Sequence, residues 1–327
     1  MRGFLIALLV LVAAGAGWGA WWLNTPLALK HPVLDLSIEP GTSPRAVAQA
    51  AVDGGVQTSA TLLFAWFRLS GQARQIKAGS YELSGALSPR FLLAKLVRGD
   101  EALRAVTLVE GWNLRQVRSA LRKAEHLTQD TQALQPQEIM QRLGRPGQPF
   151  EGSFYPDTYA YAKGSSDLLL LARALRAMDA HLDAAWAARA TDLPLNTPAE
   201  LLTLASIVEK ESALAADRAL IASVFANRLR LGMPLQTDPT VIYGLGESFD
   251  GNLRRRDLQT DTPWNTYTRV GLPPTPIAMP GKAALLATAQ PARSRALYFV
   301  ARGDGSSVFS DNLQSHNQAV NKYQRGQ

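Results

Sequence analysis

The chain contains no cysteine in 327 residues. That absence removes disulfide scaffolds, thiolate-bound zinc, iron–sulfur clusters and thiol nucleophiles together. It also suits an oxidising compartment, where nothing in the chain can mispair. Histidine is scarce: His31, His126, His181 and His316 are far apart and never in HExxH spacing, so no metal site is expected. There is no GxSxG elbow, no GxxxxGK[ST] loop, no GxGxxG turn and, outside the N-terminal segment, no SxxK pair. Hydrolase triads, phosphate cradles and dinucleotide cofactors therefore lack support, and no organic cofactor is expected. No run of five Lys/Arg occurs, so nucleic-acid binding is not expected either. The excess of 34 Lys+Arg over 27 Asp+Glu, a net +7, reads first as dispersed solubility charge.

What is present begins with an apolar run. Phe4 to Leu23 carries no charge, and Arg2 precedes it. Twenty helical residues at about 1.5 Å each just cross a hydrocarbon core of about 30 Å. Trp18, Trp21 and Trp22 collect at the far end, where an interfacial aromatic belt is expected. A cleaved signal peptide with Ala14-Gly15-Ala16 as a small-residue site is the alternative. The length and the tryptophans favour an uncleaved single-pass anchor, and Arg2 favours a cytoplasmic N-terminus. The body would then lie outside the membrane.

The body reads as α+β. Leu34 to Ile38 alternates apolar and polar like a half-buried strand, and Glu39 to Pro44 is a turn. Helices follow to Gly54 and over about Ser59–Leu69, then a strand at Gly79–Leu83 and a helix over Ser88–Val97. Leu36–Val47 and Val106–Val117 align without gaps, matching Gly41 to Gly111 and Arg45 to Arg115, although any strand–turn–helix unit gives a similar pattern. Residues 136–150, rich in Gln, Pro and Gly, read as a connector, and 165–190 as an Ala/Leu-rich helical region. Thr197-Pro198-Ala199-Glu200 is a strong helix start, with Thr as cap and Pro in the first turn. Its helix is apolar nearly all round through Val208, so it should be buried. Another helix is expected over about 216–231. Residues 233–281 look irregular, a length uncommon unless the segment builds a site. Strands return at 296–301 and 308–309. The division expected is an anchor over 1–24, a small module over 25–105 and a larger part over 106–327.

Carboxylate acid–base chemistry is what the exclusions leave. Glu209 follows Ile207-Val208 in the buried helix, where apolar surroundings raise a carboxyl pKa and keep it protonated. At about 100° per residue, Glu211 lies nearly opposite Glu209, so the two cannot face each other across a substrate. A second acid would have to come from elsewhere, for instance Asp238. A buried ion pair between Glu209 and Arg228 is the competing reading.

Several segments together identify a family. Glu151–Tyr159 (EGSFYPDTY), Leu204–Ser212 (LASIVEKES), Val224–Gly244 (VFANRLRLGMPLQTDPTVIYG), Asn265-Thr266-Tyr267, Gly271–Gly281 (GLPPTPIAMPG) and Ser315-His316-Asn317 resemble the endolytic murein transglycosylases, the MltG/YceG-like family. The resemblance covers essentially the whole chain. It implies a bacterial inner-membrane lyase, its body in the periplasm, that cuts MurNAc–GlcNAc bonds within nascent peptidoglycan strands and leaves 1,6-anhydro-MurNAc ends. It implies no metal and no cofactor. It also implies a LysM-like membrane-proximal module, a mixed α/β catalytic domain, and murein synthases of the elongation or division machinery as partners. Glu209 would be the catalytic acid. Gln236, Thr237, Asp238, Thr240, Tyr243, Asn265 and Tyr267 would line the substrate cleft, with Glu211 structural and His316 and Asn317 near the cleft wall. A two-carboxylate glycan hydrolase and a non-catalytic wall-binding scaffold stay open as alternatives.

Overall fold

The structure, a computed structural model, describes residues 2–100, 103–212 and 214–325. It opens with α1 (Arg2–Asn24), and Ile6–Asn24 within it is long and apolar enough to cross a membrane. The chain divides into two compact units: residues 1–104 with 160–164, and residues 105–159 with 165–327. A short later segment, residues 160–164, thus returns to the first unit.

In the first unit, β1 (Ala28–Leu29) precedes β2 (Val33–Ile38), α2 (Pro44–Asp53), β3 (Val56–Gln57), α3 (Ala60–Leu69), β4 (Gly79–Ser84) and α4 (Pro89–Arg98). β2 pairs antiparallel with β4, from Val33 opposite Ser84 to Ile38 opposite Gly79. The alternation read in β2 is realised: Leu34, Leu36 and Ile38 point inward. They meet Val47, Leu63, Phe67, Tyr81 and Leu92 in one apolar core. Ser43, Ser59 and Ser88 cap α2, α3 and α4 by accepting a backbone N–H of the first turn.

The chain then runs through β5 (Leu103–Thr107), α5 (Leu114–Lys123), α6 (Pro136–Arg142) and β6 (Thr158–Ala162), with β5 paired to β6. The long helices α7 (Asp167–Ala187), α8 (Pro198–Glu211) and α9 (Arg218–Arg230) follow. After them come α10 (Asp238–Leu245), α11 (Arg255–Gln259), α12 (Lys282–Ala289), the antiparallel pair β7 (Tyr298–Ala301) and β8 (Ser307–Ser310), and α13 (Leu313–Gln324). α8 packs against α7, α9, α10 and α12, and every residue from Leu201 to Val208 is buried.

Three readings are corrected. Residues 136–150 are not only a connector, because α6 starts there with Pro136 in its first turn and Gln135 N–H donating to Glu138 Oε2 at 2.7 Å. Residues 233–281 hold α10 and α11, so Asp238-Pro239 opens a helix rather than a free turn. The C-terminal part is not strands alone, because α13 carries Ser315-His316-Asn317. The internal echo has a structural counterpart. Gly41 and Gly111 both take left-handed backbone (φ 86° and 75°), each two residues before a capping side chain, Ser43 or Asn113. Each unit thereby turns a strand into a helix whose aligned Val47 or Val117 is fully buried.

Candidate functional site

α8 ends in three charged residues that its rotation sends to different places. Glu209 is half-buried, and Gly281 N–H donates to its Oε2 at 2.9 Å. Burial raises the Glu209 pKa and the Glu110 carboxylate raises it further, against the Gly281 hydrogen bond, Arg218 and Lys210, which lower it. Glu110 stands at the same glycine: a Cβ on Gly281 would fall 1.8 Å from Glu110 Oε1. The turn carrying Glu110 is pinned from both sides, since Gly111 N–H donates to Met279 O at 2.9 Å and Met279 N–H to Trp112 O at 2.7 Å. Two carboxylates thus approach one buried glycine, an arrangement that favours the protonated form of Glu209.

Lys210 faces a groove of about 1120 Å³ whose lining includes Gly111, Arg115, Arg118, Arg122, Tyr243 and Ile277. Glu209 borders this groove at Gly111, where an added Cβ would lie 3.8 Å from Glu209 Cγ and 3.7 Å from Lys210 Cδ. Glu211 turns the other way. It is half-buried, which raises its pKa, and it accepts the Thr237 hydroxyl, which lowers it. It opens on a second cavity of about 670 Å³, shared with Gln236, Asp238, Tyr267, His316 and Asn317.

The residues expected to line a single cleft are therefore split. Tyr243 belongs to the groove beside Glu209, while Gln236, Asp238 and Tyr267 belong to the cavity beside Glu211. There, Tyr267 OH donates to Asp238 Oδ1 at 2.6 Å. Gln236 takes left-handed backbone (φ 49°). It is held by its N–H to Thr266 O at 3.1 Å and by Arg228 Nη1 donating to its Oε1 at 3.3 Å. Thr237, Thr240 and Asn265 line neither of these two cavities, being 2%, 0% and 0% exposed. The Thr240 and Thr266 hydroxyls pair at 2.8 Å, and Asn265 Nδ2 donates to Leu258 O at 3.1 Å and Thr260 O at 2.7 Å. These hydrogen bonds run within the segment itself.

Arg228 is not the partner of Glu209. It is buried and donates to Leu297 O at 2.7 Å, Leu235 O at 2.9 Å and Pro234 O at 3.2 Å. His316 stacks on Tyr298 at 5.1 Å, and burial together with Arg228 lowers its pKa.

Two acids escaped the sequence reading of the site, Glu110 and Glu151. Glu151 is 5% exposed and accepts Leu114 N–H on both oxygens at 3.1 Å, at the first residue of α5. It also accepts the Tyr243 hydroxyl, so it ties α5 to α10. Burial pushes its carboxyl up to about 7, despite the hydrogen bonds that lower it. The motif EGSFYPDTY contained the signal for Glu151, and nothing local marked Glu110.

A half-buried carboxyl at the end of a buried helix, bordering a groove with a basic lining, is an arrangement that suits carboxylate acid–base chemistry. The YceG-like family model matches residues 36–322, and the chain belongs to that family. A Bacillus subtilis (strain 168) protein named endolytic murein transglycosylase is 31% identical over 309 residues, covering 89% of this chain and 84% of its own. A Streptococcus pneumoniae (serotype 2, strain D39) protein of the same name is 28% identical over 361 residues, covering 98% of this chain and 65% of its own, so this chain spans less than two thirds of that relative. The crystal structure of a YceG-like protein from Listeria monocytogenes, 28% identical, superposes with a TM-score of 0.57 over 88% of this chain and 98% of that one.

Proposed function

We propose that this chain is an endolytic murein transglycosylase, a lyase that cuts MurNAc–GlcNAc bonds inside peptidoglycan strands. The observation that carries the reading is Glu209, half-buried with a raised pKa, held by Gly281 N–H and bordering the groove. A carboxyl kept protonated near neutral pH can donate to the glycosidic oxygen. The C1–O4 bond then breaks with positive charge developing at C1 of MurNAc. The Glu209 carboxylate takes the proton from the C6 hydroxyl of the same sugar, and O6 bonds to C1, closing the 1,6-anhydro ring. Glu209 is thereby reprotonated and no water is consumed. One carboxylate suffices because the nucleophile is already tethered to the reacting ring.

The same reading assigns α1 as a single-pass anchor in the bacterial inner membrane, N-terminus inside and body in the periplasm. It assigns the strand–helix–helix–strand unit over 33–84 as LysM-like, and a murein synthase as partner. Anhydro ends would stop a growing strand from being extended.

A second reading has one observation in its favour. Hydrolysis by two carboxylates needs an acid near Glu209, and Glu110 is near it, whereas Asp238 is bonded to Tyr267 in the other cavity. One experiment separates the readings. Uncrosslinked murein strands are digested with the full chain and with Glu209→Gln, and the new ends are weighed. We expect anhydro ends with the former and at least a 10³-fold loss with the latter. Ends heavier by one water support hydrolysis. Full activity of Glu209→Gln would remove Glu209 from the chemistry.

A further inference from the structure

The groove beside Glu209 is far more basic than a neutral sugar chain requires. α5 aims Arg115, Arg118 and Arg122 into it, at spacings of three and seven residues that share one helix face. Val117 and Leu121 occupy the opposite, buried face. Lys210 adds a further cation where the groove reaches Glu209, and among the described residues that line the groove itself Glu247 is the one acid, with Glu209 at its border. Glu247 is a weak counterion, with its side chain 90% exposed and 3.8 Å from Arg115. Arg122 has no side-chain partner among the described residues. Arg118 spends one Nη on Gln132 O at 2.8 Å and Thr131 O at 3.2 Å, both neutral carbonyls.

The placement is costly to the helix itself. Arg115 is the second residue of α5 and Arg118 the fifth, close to the positive end of the helix dipole, where cations are disfavoured. Capping is handled by Asn113, Gln116 and Glu151, and of the three arginines Arg118 ties α5 to the 131–132 loop, so Arg115 and Arg122 are the two that cap nothing and sit outside the core. Residues of either sign would satisfy solubility.

We propose that this arginine face of α5, with Lys210, is a subsite for the carboxylates of the peptide stems on the glycan strand. The proposal rests on the murein reading above and deepens it, because the sugar backbone is neutral and the stems carry the negative charge. Arg115 and Arg122 are about 10 Å apart along the axis, close to three residues of extended peptide. A stem with carboxylates a few residues apart can therefore engage both ends. Asn113, Gln116 and Ser119 line the same wall and offer amides and a hydroxyl to the stem's backbone.

The test uses full-length Glu209→Gln chain in detergent and two matched, fluorescently labelled, uncrosslinked strands. One carries free stem carboxylates, and in the other the same carboxylates are amidated. Anisotropy should show about five- to tenfold tighter binding of the free-acid strand at low salt, the sum of two or three exposed charge pairs. That preference should vanish by about 0.5 M salt, where the Debye length is only a few ångströms. Arg115→Gln with Arg122→Gln should bring it below twofold, while Arg122→Lys alone should keep most of it. Equal affinity for the two strands, or a preference that survives the double substitution, overturns the proposal. The enzymatic reading fails separately: if the unsubstituted chain cleaves neither strand yet the preference holds, the subsite stands without the lyase.

Discussion

Gly152 lies between the buried acid Glu151 and the segment that pins the Glu110 turn, and it is where a single methyl should do most damage. Its backbone is left-handed (φ 79°), and a Cβ there would fall 2.5 Å and 2.6 Å from Cβ and Cγ of Pro276, with Ala278 O at 3.5 Å. The proline ring is buried and cannot rotate away. Gly152→Ala thus incurs two costs. A left-handed non-glycine residue costs about 1–2 kcal/mol, and forcing a methyl into a packed site costs about 1–3 kcal/mol. The sum is about 2–5 kcal/mol. Gly147 supplies the control, because it has nearly the same backbone (φ 81°) with nothing within 4 Å of an added Cβ. Gly147→Ala should show the backbone cost alone, about 1–2 kcal/mol. Urea unfolding of both variants in the same detergent isolates the steric part as their difference. If Gly152→Ala is destabilised no more than Gly147→Ala, the contact with Pro276 is not a rigid one and the argument fails.

Glu151 should make stability depend on pH. Its folded pKa of about 7 stands above the ordinary 4.5, so the folded state holds its proton more tightly. Its contribution is then full below about pH 4.5 and is lost as pH rises through about 7, a change of about 3 kcal/mol. Glu151→Gln keeps the acceptor for Leu114 N–H and should flatten that part of the stability–pH curve, whereas an unchanged slope would clear Glu151. Glu110→Gln removes a charge that raises the Glu209 pKa, so the alkaline limb of the cleavage–pH profile should move to lower pH. Gly281→Ala should act in the same direction by evicting the Glu110 carboxylate, and a limb that moves in neither variant would disconnect Glu110 from Glu209.

Strong local rules made much of this fold readable. Leu34 to Ile38 alternates, Thr197-Pro198 opens α8, and the apolar run to Val208 is buried as its composition requires. α6 and α10 were missed for one reason: proline reads as a breaker, yet it fits the first turn, where no helical hydrogen bond is lost. The half-buried setting of Glu209 was legible because that helix is apolar around it. It was not legible at Asn265 and Thr240, since sequence does not distinguish an amide or hydroxyl facing a ligand from one binding its own loop. Glu110 lay beyond reach because its neighbour Gly281 is remote in sequence, and only the pairing of Gly111 and Trp112 with Met279 brings the two together.

The return of residues 160–164 to the first unit bears on how this architecture can be inherited and rearranged. The units are not beads on a string, because the chain visits the first, leaves, comes back for one short segment and leaves again. Lys163, in that segment, pairs with Asp35 and accepts the Ser80 hydroxyl on its carbonyl at 2.9 Å. A gene break after residue 105 would sever neither unit cleanly. It would give the second a strand end that belongs elsewhere and cost the first its last tie. Shuffling the first unit onto another body therefore requires two cuts and two joins, and the two units are expected to travel through evolution together.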